Sequence, residues 1–323
     1  MAQQLFAYIG HKNGIADDPA LELITAAKKI YADAAITAII TGSGADLAAV
    51  GNELASSYAE VWKVENEACA YPNGEVIRSL LVNILPPDAI ILFAHDTFGM
   101  DLAPGLSIKL DSAFVSDAVD IKGVDGTTLT VIRQEYSGMA STHVHADISN
   151  GAVITCRPGS FQPDESKSAN GQIVDKSAAA GDLSAKRRFL EVVEAEAGDV
   201  DITKSDVLVS VGRGVEDQEN IEIAEELADA IGAVVSCSRP IVDAKWLEKA
   251  RQVGTSGKTV KPKVYIALGI SGSFQHMGGL KGSPFIVAVN KNPKAPIFQL
   301  ADVGVVQDLL EFVPALTEKI KEG

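Results

Sequence analysis

The first hundred residues alternate short apolar runs with stretches of helical period. Leu5 to Ile9 is apolar throughout and ends at Gly10, which predicts a buried strand. Pro19 to Tyr31 predicts a helix, with Leu21, Ile24 and Lys28 at helical spacing and Asp17 and Asp18 supplying the N-cap. Ala35 to Ile40 predicts a second strand and Leu47 to Leu54 a second helix. Glu60 to Val64 predicts a strand, Glu75 to Ile84 a helix stopped by Pro86 and Pro87, Ala89 to Phe93 a strand and Leu102 to Leu110 a helix. Such alternation predicts a doubly wound, mostly parallel sheet with helices on both faces.

The pattern changes after Asp111. Residues 113 to 156 alternate and turn often, with Gly123 to Gly126 as a hairpin signal, and short antiparallel strands ending at Cys156 are expected. Gly159 to Leu183 is rich in Ser, Ala, Gly, Asp and Gln and reads as a linker, with one more strand at Phe189 to Glu196. A second α/β pattern follows. It predicts strands at Val207–Val211, Ala233–Val235, Val264–Leu268 and Ile286–Val289. It also predicts a helix from Glu219 to Ile231 stopped by Gly232, and one from Val305 to Ile320 interrupted near Pro314. The expected organisation is an N-terminal α/β domain over residues 1–200 and a C-terminal doubly wound α/β domain over residues 201–323.

Composition narrows the function. A net charge of −15 over 323 residues argues against nucleic acid and against an anionic membrane surface, and suits steering toward a basic docking patch. No apolar run approaches the roughly 18 residues of a membrane span. No secretory or transit pattern leads the chain, so a cytoplasmic, prokaryotic protein without membrane insertion is expected. Cys69, Cys156 and Cys237 are odd in number and far apart, which disfavours a disulfide framework and a cysteine-held metal or cluster.

Candidate chemistry collects at the predicted strand ends of the second domain. These are Gly212-Arg213-Gly214, Ser238-Arg239-Pro240, Gly269 through His276, and Asn290 through Pro293, with the excursion Arg251 through Lys258 between the second and third. Small residues let a ligand approach the backbone, and free N–H groups accept phosphate. An extended, phosphate-bearing ligand is implied. Three familiar motifs fail. Gly257-Lys258-Thr259 lacks the first P-loop glycine, where Gln252 stands. Gly269-Ile270-Ser271-Gly272 continues to Ser273 instead of completing a nucleophile elbow. Gly212-Arg213-Gly214 continues to Asp217 instead of a dinucleotide glycine.

Taken alone, Arg239 reads as a surface capping or pairing residue and His276 as a hydrogen-bonded structural histidine. His143 and His145 share one face of a predicted strand, where a solvent-facing pair is favoured over metal ligands. Cys237 reads as a small buried hydrophobe, and Lys186 to Arg188 as a solvated charge run.

Taken together, the blocks resemble the C-terminal FAD domain of the electron-transfer flavoprotein alpha subunit family. They are Val211 to Gly214, Ser238 to Ala244, Arg251 to Lys258, Gly269 to His276, Ala288 to Lys291, Ala295 to Phe298 and Ala301 to Gly304, in order over residues 205–318. Asp101 to Pro104 and Arg157 to Phe161 extend the likeness more loosely into the first half. Thr255 replaces a customary Gln, and Phe274 a smaller aliphatic residue.

The resemblance implies FAD as cofactor. It places Arg239 against the flavin ring, Ser256 at N5 and His276 at the N1–C2 edge. Ser271, Gly272, Ser273, Phe274 and Gln275 would line the pyrophosphate and ribityl chain. Val253, Gly254 and Thr255 would accompany Ser256, and Arg213, Ser238, Asn290, Asp308 and Leu309 would complete the site. It further implies a redox carrier with no catalytic acid, base or nucleophile, paired with a beta subunit. Electrons would come from acyl-CoA dehydrogenases or other flavin dehydrogenases and pass to a quinone reductase or another redox partner. An electron-bifurcating version, with a second FAD in the partner, and a nucleotide-binding hydrolase or ligase are the alternative readings.

Overall fold

The computed structural model describes residues 3–136, 140–167, 170–191, 200–282 and 284–322. The chain divides into two units, before and after residue 192. The first contains strands β1 (Leu5–Tyr8), β2 (His11–Lys12), β3 (Ile15–Ala16), β4 (Ile36–Gly42), β5 (Glu60–Glu65), β6 (Ile90–Ala94), β7 (Ala113–Asp125), β8 (Thr128–Glu135), β9 (Ala140–Asp147), β10 (Ala152–Cys156) and β11 (Gln172–Asp175). Its helices are α1 (Ala20–Ile30), α2 (Ala45–Leu54), α3 (Gly74–Ile84) and α4 (Thr97–Leu110).

Among the described residues, nine strands form one sheet in the order β11-β5-β4-β1-β6-β10-β7-β8-β9. It is parallel from β11 through β7, and β8 and β9 add antiparallel. The central strands β1, β6 and β10 are apolar at nearly every position because both faces are covered. Helices α1 and α2 pack on one face and α3 and α4 on the other.

Several expectations change here. The 113–156 region is not wholly antiparallel, since β10 lies parallel between β6 and β7. Its residues Ala152 to Cys156 are all buried, which an edge hairpin could not achieve. The stretch read as a linker contributes β11, an edge strand parallel to β5. Pro19, rather than Asp17 or Asp18, occupies the cap position of α1. Helix α4 starts earlier than expected because the Asp96 carboxylate accepts from Gly99 N at 2.7 Å. The strand expected at Phe189 to Glu196 is absent at 189–191, and 192–196 lie outside the described residues.

The second unit contains β12 (Val207–Val211), β13 (Val234–Cys237), β14 (Val264–Leu268), β15 (Phe285–Val289) and β16 (Val303–Val305). Its helices are α5 (Ile221–Ile231), α6 (Arg239–Asp243), α7 (Phe274–Met277) and α8 (Leu309–Glu322). The sheet is fully parallel, in the order β13-β12-β14-β15-β16. Helices α5 and α8 cover one face. The other is covered by loop residues that include Val253, Val260, Ile270 and Ile297. The strand order reverses between β12 and β14, where doubly wound sheets place their ligands.

Strand β16 was not expected, and the final helix begins later than its apolar pattern suggests. The Asp308 carboxylate accepts from Leu310 N at 2.9 Å and starts α8 there. The helix then runs through Pro314 without interruption.

Candidate functional site

The strand ends of the second sheet open into a cavity of about 640 Å³, within the range of small-molecule and cofactor sites. Backbone contact builds its floor. Gly269 has φ +64, and a Cβ there would lie 2.6 Å from Gly214 Cα. Gly272 has φ +81, and a Cβ there would lie 2.5 Å from Ile297 N. A side chain at either position would meet backbone as well as left-handed strain. Gly269 therefore lets the β12 and β14 turns touch, and Gly272 lets the β14 turn approach Ile297; Arg213, Ser271 and Ser273 all line the cavity.

The loop after α6 supplies a second wall. Thr255 N donates to Gln275 O at 2.8 Å, and Val253 N donates to Cys237 O at 2.9 Å, so residues 252–258 are stitched to both α7 and β13. Within this loop, the buried Gln252 donates from Nε2 to Ser256 Oγ at 2.9 Å. The Ser256 oxygen is thereby occupied as an acceptor, and its own proton is free to be donated elsewhere. Asn290 closes the far side, donating from Nδ2 to Ile270 O at 2.9 Å and accepting from Asn292 N at 2.9 Å.

The charges at the wall are mixed. Arg213, Arg239 and Lys291 face Glu216 and Asp243. Lys291 pairs with Glu216, and Arg239 Nε lies 3.4 Å from Asp243 Oδ2 with its side chain 68% exposed. Three cations against two carboxylates make this a locally basic site on a chain of net charge −15. That balance admits an anionic ligand.

His276 is buried, only 6% exposed, and its Nε2 lies 2.7 Å from the Tyr265 hydroxyl. Burial lowers its pKa to about 4, with the Val253 backbone opposing the shift, so the ring is neutral at pH 7. Its Nδ1 is buried without a partner in hydrogen-bond geometry. A buried polar atom left in this state calls for a ligand atom or water.

Of the sixteen residues named from the sequence, the structure brings twelve to this cavity. The other four do not line it. Gly272 lies between two lining serines, and Phe274 is 49% exposed. Asp308 caps α8, and Leu309 is buried against Gly269. Sequence reasoning overlooked Gln252 and Tyr265. Gln252 was visible as the residue that breaks a P-loop and as a member of the Arg251 to Lys258 block, and Tyr265 looked like any other apolar strand residue.

Comparison with known proteins decides the family. A family model described as the electron transfer flavoprotein FAD-binding domain matches residues 201–281, and one described as the electron transfer flavoprotein domain matches residues 6–181. The electron transfer flavoprotein subunit alpha of Bacillus subtilis is 41% identical over 239 residues, covering 73% of this chain and 71% of that protein. That of Syntrophomonas wolfei is 33% identical over 320 residues, 98% of each chain.

The chain belongs to the electron transfer flavoprotein alpha subunit family.

A mitochondrial member from Arabidopsis thaliana is 32% identical over 323 residues, covering 97% of this chain and 88% of that one. The cofactor of this electron transfer flavoprotein domain is FAD, and the protein is a redox carrier. The observed site fits that cofactor. It offers a cavity of adequate volume, a locally basic wall and an orphaned imidazole nitrogen.

Elsewhere the candidate residues have other surroundings. His143 and His145 lie on β9 with exposed side chains, and His145 Nδ1 is 3.0 Å from Thr130 Oγ1. His95 Nδ1 is 2.9 Å from Thr155 Oγ1. Arg187, read as part of a solvated run, pairs with Asp101 at 2.5 Å. The three cysteines are buried and free, and burial raises each thiol's pKa.

Proposed function

We propose that this chain is the FAD-holding subunit of a two-chain electron carrier. A beta subunit would share the cofactor cleft. Flavin dehydrogenases, acyl-CoA dehydrogenases among them, would donate electrons, and a quinone reductase or another redox protein would accept them in the cytoplasm of a prokaryote. The observation that carries this reading is the grouping of Arg239, Ser256 and His276 around one cavity, each with an unspent capacity toward a ligand. Arg239 has only a loose, exposed carboxylate partner. Ser256 keeps a free proton, and His276 keeps an orphaned nitrogen.

FAD supplies the reversible one- and two-electron chemistry. Arg239 would hold positive charge at the flavin ring, Ser256 would donate to N5, and His276 would serve the N1–C2 edge. Ser271, Gly272, Ser273, Phe274 and Gln275, with Arg213, would receive the pyrophosphate and ribityl chain. Val253, Gly254 and Thr255 would shape the wall beside the ring. Ser238, Asn290, Asp308 and Leu309 would complete the site, with Asn290 and Asp308 at the adenosine end.

Stepwise reduction of the Arg239→Ala variant tests the residue assignments. Removing the cation should lower the potential for the first electron by on the order of 60 mV, a tenfold change in that equilibrium. The second electron should shift less, because uptake of a proton can offset the lost charge. Arg239→Lys should recover part of the effect, since the charge survives and the planar stacking does not. Normal FAD content with an unchanged first potential would place Arg239 away from the flavin.

A further inference from the structure

A row of hydroxyls runs through the second sheet on the face turned away from α5 and α8. Ser236, Ser210 and Tyr265 lie on the neighbouring strands β13, β12 and β14. Ser210 pairs in register with Ser236, and Tyr265 stands opposite Leu208, two residues before Ser210. A two-residue spacing keeps side chains on one face, so all three project together. Each is 0% exposed, and the surrounding core is apolar. Buried hydroxyls in such a core are costly unless they are paired. The oxygens of Ser210 and Ser236 have no partner in hydrogen-bond geometry. The bond that ends the row is Tyr265 Oη to His276 Nε2, at 2.7 Å.

The proton arrangement in that bond matters. Burial raises the Tyr265 pKa and lowers that of His276 to about 4, so both groups are neutral at pH 7. A neutral imidazole carries one N–H. If Nε2 donated to the phenol, Nδ1 would be a bare lone pair. If the phenol donates to Nε2, the proton sits on Nδ1. A phenol is a stronger donor than an alcohol, and an imidazole nitrogen is a stronger acceptor than a phenol oxygen. The second arrangement therefore pairs the best donor with the best acceptor. It leaves the phenol oxygen as an acceptor.

We propose that Tyr265 is a positioning residue. Its hydroxyl locks His276 in the tautomer with the proton on Nδ1, so that the imidazole presents a donor and not a lone pair. On the reading that the cavity holds FAD, that donor suits the carbonyl edge of the flavin.

The test is nitrogen NMR of the purified, FAD-loaded protein with 15N-labelled histidine. The chain has 5 histidines, and the His276→Gln variant identifies the signal of interest. The wild-type ring should show one neutral tautomer protonated at Nδ1. In Tyr265→Phe the Nε2-protonated form should become substantially populated, and FAD should bind roughly three- to tenfold more weakly. Ser210→Ala keeps the phenol and should keep the Nδ1 tautomer. A wild-type ring protonated at Nε2 would overturn the proposal whether or not any variant folds. So would a Tyr265→Phe ring that stays wholly in the Nδ1 form. If the tautomer shifts as expected while FAD affinity and flavin potential stay fixed, the positioning role stands, and the placement of His276 at the flavin fails.

Discussion

At the scale of single residues, chemistry follows from what each polar atom has left to give. Arg239, Ser256 and His276 stand in sequence blocks whose order and spacing single them out, and the fold brings all three to one cavity. Their partners were not legible. Tyr265 is buried in β14, and nothing in the pattern Val264 to Leu268 separates a hydroxyl that serves a histidine from an ordinary strand aromatic. Gln252 becomes meaningful only when the loop folds back and places its amide 2.9 Å from Ser256 Oγ. Burial of His276 also has a consequence for stability. Its ordinary pKa is about 6.5, and in the fold burial depresses it to about 4. The unfolded chain then binds the extra proton within this window. The stabilising contribution of the neutral ring is fully present above about pH 6.5 and is lost as pH falls toward 4. The loss should be on the order of 3 kcal/mol at most. Urea unfolding of the cofactor-free protein should show it, and His276→Gln should flatten the pH dependence in that range. Parallel pH profiles for the two proteins would show that the ring is more hydrated than its burial implies.

At the scale of elements, most strands and helices were readable from period, because both sheets bury apolar runs on two faces. The misreadings share a cause: local pattern is silent about which strand becomes a neighbour. Ala152 to Cys156 follows a hairpin region in sequence, yet it pairs parallel with β6 and β7. Val303 to Val305 is too short to signal itself, and it became a strand because β15 offered an open edge. The turns after the strands were legible as glycine-rich, while the reason for the glycines came only from contact. Gly272 is the clearest case, with φ +81 and Ile297 N in the way of any Cβ. Gly272→Val should cost roughly 2 kcal/mol or more. It should also weaken FAD retention by displacing Ser271 and Ser273. Thermal unfolding with and without FAD measures both effects, and an unchanged Tm and flavin content would mean that the turn is not rigidly held.

At the scale of the whole molecule, two α/β units share one chain with contrasting equipment. The first carries the larger sheet, and the second carries the cavity and its locally basic wall. Among the described residues, no helix is long and apolar enough to cross a membrane. The overall charge of −15 gives long-range attraction to a basic partner surface, which rising salt should weaken. The family and its cofactor were legible in the sequence, because the glycine turns and the charged blocks keep a fixed order. The identity of the redox partners was not, because it depends on surfaces that other chains supply. Whether this chain holds FAD as one half of a two-chain carrier is decided by native mass spectrometry of the chain co-expressed with its beta subunit. The expected species is a yellow 1:1 complex in which FAD is lost when the Arg213, Ser271 and Asn290 side chains are removed together from this chain. A lone monomer that retains FAD and accepts electrons without a second chain would contradict it.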